Sequence, residues 1–264
     1  MNFAVSAPNK IRPMAGIEFD REKFDRMLYL RGWKLTWEKA SRCPCVESAE
    51  SDHARPDCTV CSGLGWEWHS AETVRAVVTG AAQVHEEFQK FGAWGRGQVR
   101  ITLPPEQLPG YQDRFTALDS VFLMQDYGTR TADGTDALRL PIVQRTMLLA
   151  AGTVTVGVTH VRIQAEDGTA GETATEGIDF AISDGEIDWS LGDALGTAPP
   201  VGRKFTATYY AHPRFIAIED SYSARDSYLW TKTKLENPPL HLQLPVTVSA
   251  RLVYEGDDER EGVS

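Results

Sequence analysis

From about residue 72 onward, apolar and polar residues alternate with a period of two in short runs. Nothing else in the sequence constrains the fold as tightly. Successive side chains of a strand point to opposite faces, so alternation buries one face of a sheet and wets the other. The runs are Thr73–Thr79, Gln98–Leu103, Arg114–Asp119, Val121–Tyr127, Thr153–Ala165, Ile178–Ile182, Arg203–Tyr210, Phe215–Glu219 and Val246–Tyr254. They are rich in Val, Ile, Thr, Phe and Tyr and are bounded by turn-forming Gly, Pro, Asp or Asn. Such regular punctuation predicts a mainly β chain, a β-barrel or sandwich, and argues against alternating βα units.

The N-terminal quarter differs. Residues 1–17 hold Pro8, Pro13 and Gly16 without periodicity and read as an extended arm, of the kind that docks on a neighbour in an assembly. In 18–31, Phe19, Phe24, Met27, Leu28 and Leu30 fall partly at helical spacing, with Asp20 placed to cap the start and Gly32 to stop the helix. Trp33–Trp37 reads as a strand leading into a cysteine-rich segment. The expected organisation is an arm and short helix over 1–40, a knuckle over 41–70, and a main barrel from 71–145 plus 211–254. A small β module over 146–210 is inserted or appended, and a charged flexible tail covers 255–264. Within the module, 165–177 and 193–202 read as surface excursions.

All four cysteines fall between Cys43 and Cys61, as Cys43-Pro44-Cys45 and Cys58-Thr59-Val60-Cys61 followed by Gly63 and Gly65. Two close pairs supply the four soft ligands of a tetrahedral zinc. The glycines allow positive φ, which aims amide N–H groups at the sulfurs, and Pro44 stiffens the tighter pair. A structural zinc on Cys43, Cys45, Cys58 and Cys61 is the favoured reading. Two disulfides, or one with two thiols, are the alternative state of the same cysteines. Catalytic redox chemistry would want a helix N-terminus in a βαβ setting, which is absent here. His53 and His69 lie close enough in sequence to replace a cysteine, but read as solvated loop residues.

Composition narrows the function. The formal net charge is −10, an acidic balance that opposes gripping phosphate while leaving conduction of DNA through a channel open. No apolar run approaches a membrane span, and Met1–Val5 lacks a basic stretch before an apolar core, so synthesis and folding in the cytosol are expected. No catalytic residues are expected. Asp119, Asp126, Asp133, Asp136, Asp179, Asp184 and Asp188 sit in or beside turns and read as turn formers, not as facing glycosidase carboxylates. Gly92–Gly97 precedes a strand instead of a helix and reads as a hairpin tip, not a phosphate loop. Tyr222, Arg225, Tyr228 and Trp230 have the composition of a protein-docking loop.

Four stretches together resemble structural proteins of tailed-bacteriophage virions. These are Phe24–Trp37 running into Arg42–Cys45 and Asp57–Gly65; Leu103-Pro104 with Gly110–Phe115; Gly177–Ile182 with Gly185–Trp189 and Pro199–Tyr209; and His212–Phe215 with Leu244–Val246. The resemblance implies a non-enzymatic subunit of the neck: a head–tail connector, collar or gateway ring through which DNA passes. A tail-tube-end or baseplate adaptor is the second choice. A tail-associated glycan-acting hydrolase or a carbohydrate-binding module is the alternative of another class. The implied partners are copies of itself in a ring and neighbouring portal, neck or tail proteins, with no specific nucleic-acid binding and no membrane. The implied location is the virion, after assembly in the host bacterial cytoplasm.

Overall fold

A computed structural model of the protein describes residues 20–46, 54–61, 63–80, 97–149, 152–165, 170–218, 226–229 and 240–253. In chain order the elements are α1 (Arg21–Arg31), β1 (Trp33–Arg42), β2 (Trp66–Gly80), β3 (Gln98–Leu103), β4 (Arg114–Ala117), β5 (Phe122–Thr129) and β6 (Thr135–Asp136). There follow β7 (Arg145–Leu149), β8 (Gly152–Val156), β9 (Val158–Gln164), β10 (Ala170–Ala174), β11 (Ala181–Ser183), β12 (Glu186–Asp188) and α2 (Ser190–Leu195). The chain continues through β13 (Lys204–Ala211), β14 (Arg214–Ala217), β15 (Asp226–Leu229), β16 (Leu240–Gln243) and β17 (Val246–Leu252). The arm 1–17, the tail 255–264, Gly92–Arg96, His53 and the side chains of Tyr222, Arg225, Tyr228 and Trp230 lie outside the described residues. No helix among the described residues is long and apolar enough to cross a membrane.

The mainly β expectation holds. Six strands close a barrel in the order β1-β2-β3-β17-β14-β4. Each gives two inward residues at i and i+2: Leu35 and Trp37, Val74 and Ala76, Ile101 and Leu103, Phe115 and Ala117, Phe215 and Ala217, Val248 and Ala250. On β2, β4, β14 and β17 a larger residue is followed by an alanine, while β1 and β3 give two large residues each, so the interior is filled with side chains and is a core, not a pore. Trp37 stacks on Phe115 with ring centroids 6.2 Å apart.

The second module is inserted between β4 and β14, and it is wider than the 146–210 read from sequence. β5 pairs along its whole length with β13, in a sheet ordered β10-β9-β13-β5, and β11-β12-β6 form a second sheet. The module therefore runs from β5 through β13, while β1 and the first half of β2 belong to the barrel. Alternation marked β5 as a strand, but every strand with one buried face looks alike, and only pairing assigns it to a sheet. The two crossings between modules are braced together: Nδ1 of His212 bonds the Ser120 carbonyl at 2.8 Å, and the Ala117 amide donates to Pro213 O at 2.9 Å.

Trp189 is fully buried at the centre of this module, tilted against Phe180 and edge-on to Phe205. Its indole N–H donates to Asp136 at 2.7 Å, and the other carboxylate oxygen of Asp136 accepts from the Thr131 amide. Neither expected surface excursion is one: 165–177 contains β10, which pairs with β9 and buries Ala174 because its alternating face completes the sheet edge, and 193–202 is anchored. Residues 190–195 form α2, and the buried Arg130 grips both Asp193 oxygens at 2.5 Å and also bonds Pro199 O. At the other end of the chain, α1 has the caps expected of it: Asp20 accepts from the Lys23 amide, and the Gly32 amide donates to Leu28 O.

One carboxylate ties the barrel to its hairpin. Asp113, just before β4, is 97% buried, with Oδ2 accepting from the Trp37 indole at 2.8 Å and the Gly110 amide at 2.9 Å. Its Oδ1 accepts from the Ala40 amide at 2.9 Å. Asp113→Ala leaves the buried Trp37 indole and two part-buried amides without an acceptor and is expected to cost about 3 kcal/mol, read as a lowered urea midpoint at unchanged m-value. A loss below about 1 kcal/mol would show that these bonds are not needed.

Candidate metal centre

The four cysteines occupy the tip of the β1–β2 hairpin. The two strands pair from Trp33 opposite Ala76 to Arg42 opposite Trp66, and residues 43–65 form the connection. Long connections in compact domains need a source of order beyond the strands they join. Here that source is the sulfur cluster and its turns. The Cys43 amide donates to Gly65 O, continuing the ladder past the strand ends. Three turns follow: Val46 N to Cys43 O, Cys58 N to Arg55 O, and Leu64 N to Cys61 O. Gly63 and Gly65 adopt φ of 81° and 77°, the left-handed conformation that the sequence pattern called for.

The sulfurs of Cys43, Cys45, Cys58 and Cys61 all lie within 4.8 Å of one another. Cys43 and Cys58 are 3.7 Å apart, and Cys45 and Cys61 are 3.4 Å apart. A disulfide needs about 2.05 Å, and all four cysteines are free. A tetrahedral metal with metal–sulfur bonds of about 2.3 Å sets its ligands about 3.8 Å apart. The measured spacings fit a metal cage and not a pair of bridges. Cys43 and Cys61 are buried, and Cys45 and Cys58 are half-buried.

The electrostatics of the four thiols are unequal. Backbone amides of Cys61 and Val60 point at the Cys58 sulfur and pull its pKa down to about 6. At Cys43 the Cys45 amide favours the thiolate, but burial and shared protons with the other three sulfurs outweigh it and push the pKa up to about 12. Cys45 is likewise raised: the Arg55 amide and the Cys43 sulfur favour its thiolate, but burial and the Cys61 and Cys58 sulfurs outweigh them. The cluster thus has backbone amide donors already aimed at its sulfurs. That is how thiolate metal sites are commonly supported beyond their ligands. His69 bonds Ser70 Oγ at 3.0 Å on exposed β2 and is not part of the cluster.

Below the tip, the hairpin is joined to the connection between β3 and β4. Trp66 meets Tyr111 edge-on at 5.8 Å with the Arg42 guanidinium 5.6 Å from its ring, and the Trp68 indole donates to Gln112 O at 3.0 Å. Arg114 lies 4.6 Å over the Trp68 ring and clasps Glu38 with two bonds of 2.6 and 2.7 Å. That guanidinium holds the Glu38 carboxyl below the ordinary glutamate range. Sequence reasoning missed Asp113, Glu38 and Arg114. The sequence marks Asp113 and Arg114 only as part of the Gly110–Phe115 and Arg114–Asp119 stretches, and Glu38 only as a polar residue beside an aromatic strand.

The acidic residues singled out from the sequence do not converge. Asp126 accepts from the Tyr127 and Arg139 amides, Asp119 from the Lys34 amide, Asp179 from Thr175 and Asp188 from Ser190. Asp184 is itself a turn residue with φ of 51°. In comparison with known proteins, no family model matches the chain and no curated protein matches it.

Treatment with a chelator, or the Cys58→Ser change, is expected to speed amide exchange in 54–65 while leaving exchange in β3, β14 and β17 unchanged. The hairpin tip opens as a local unit because barrel closure does not depend on it. Loss of protection throughout the barrel would overturn that separation.

Proposed function

We propose that the protein is a non-catalytic structural subunit of a tailed-phage virion, placed in the neck as a connector, collar or gateway ring through which DNA passes. The metal it holds at Cys43, Cys45, Cys58 and Cys61 is zinc. The observation that carries the reading is the position of the cage. It cross-links the tip of a hairpin on a closed barrel, where a closed four-thiolate zinc supplies folding energy and no open coordination position.

Several features support the wider assignment. Asp113, Asp126 and Asp136 are buried and committed to backbone and indole donors, which is how a scaffold uses carboxylates. The stretches that carry the phage resemblance fall on structural features: Gly110–Phe115 on the Asp113 junction, and Gly185–Trp189 on the core of the inserted module. The barrel interior is filled, so a DNA channel would have to lie between copies in a ring, where an acidic wall avoids gripping phosphate. Its partners are then copies of itself and the adjoining portal, neck or tail proteins.

Two measurements test the proposal. Elemental analysis of the purified chain is expected to find one zinc per chain, and intact mass spectrometry four unbridged cysteines; two disulfides with no metal would overturn the zinc assignment. Protein mass spectrometry of purified particles from a phage carrying this gene is expected to find the chain in ring-like copy number. Its absence from particles would overturn the virion assignment.

A further inference from the structure

The second half of α1 is a cationic, apolar surface, and we propose that it docks one copy of this chain onto a different surface of a second copy, drawn by that copy's net negative charge. The inference rests on the ring-subunit reading above only for closure into a ring; the contact itself does not require it.

α1 has eleven residues and buries only Leu28. Helices this short are marginal in water and draw their stability from tertiary packing. Yet Met27, Tyr29 and Leu30 are 40%, 72% and 64% exposed. Met27 and Leu30 are three apart and Arg26 and Leu30 four apart, so these side chains adjoin on one face. Met, Tyr and Arg are the residue types enriched where proteins dock.

Charge selects the occupant. The first half of the helix is neutralised: Arg21 pairs with Asp25 and Glu106, and Lys23 with Asp20. From Arg26 to Arg31 there are two arginines and no acid, and neither arginine has an ion pair among the described residues. A third cation, Arg75, lies 5.5 Å over the Tyr29 ring while donating to Gly32 O. Arg31 is also well placed against the negative end of the helix dipole, but Arg26, more than a turn earlier, has no such role. This patch belongs to a chain of net charge −10, so the rest of each copy attracts it.

The same charge fixes the symmetry. Two copies meeting α1 to α1 would set like charges together at close range. The contact is therefore heterologous, α1 on a different surface of the neighbour, and such contacts propagate into rings or filaments.

The test is sedimentation and native mass spectrometry of the full chain over a range of concentration and salt. Wild-type chain is expected to self-associate, less so as salt rises. Arg26→Glu with Leu30→Glu is expected to weaken association by about 100-fold or more, at unchanged circular dichroism and zinc content. Arg26→Gln with Tyr29→Ser, which adds no charge, serves as the second variant and is expected to act in the same direction. The proposal is overturned by a wild-type chain that stays monomeric, or by association unchanged in both variants. It is equally overturned if deleting residues 1–19 abolishes association while the α1 variants do not, or if α1 binds duplex DNA and no second copy. Association lost in the variants of a chain absent from particles would uphold this contact and overturn the virion reading alone.

Discussion

The geometry of the hairpin depends on the Asp113 carboxylate. β4 pairs with β1 only from Leu35 to Glu38, and beyond that point the ladder has no partner strand on this side. Asp113 stands where the next β4 residue would be and offers its side chain in place of a strand, taking the Ala40 amide that the ladder leaves open. It also holds the Trp37 indole, which is a wall of the barrel core, and the Gly110 amide, which begins the turn into β4. A buried polar group leaves a large penalty when its partner is lost, so one carboxylate satisfying three donors fixes core, strand edge and connection together. The knuckle sits where it does because that junction aims the hairpin.

The inserted module repeats the device. Asp136 accepts from the Trp189 indole and from the Thr131 amide, so a buried carboxylate again locks a buried tryptophan to backbone. In both modules a buried acid, Asp113 in the barrel and Asp136 in the inserted module, fixes a core tryptophan in one orientation. This also explains why the module tolerates insertion: its core closes around Trp189 by itself, and the two crossings need only the brace between His212 and Ser120. The cage at the hairpin tip does comparable work without a core. A segment too short to bury apolar surface is cross-linked through sulfur, with spacings of 3.4 and 3.7 Å that a metal fits and a disulfide does not.

The sequence by itself determined the mainly β class, many of the strands, the helix with its Asp20 and Gly32 caps, and the four cysteines that could hold a metal, because each is a local matter of spacing and turn chemistry. Alternation with period two states that a strand has one buried face, and two close cysteine pairs state that a metal will fit. Only the tertiary structure decided that β5 leaves the barrel for the inserted sheet, that Arg130 fastens α2, and that Asp113, Glu38 and Arg114 form one junction. Those residues are 63 to 76 positions from their partners, and no local pattern marks which strand a side chain will meet across a sheet. Pairing and burial are chosen by the whole chain at once, and they turned scattered polar residues into the supports of the hairpin that carries the metal centre.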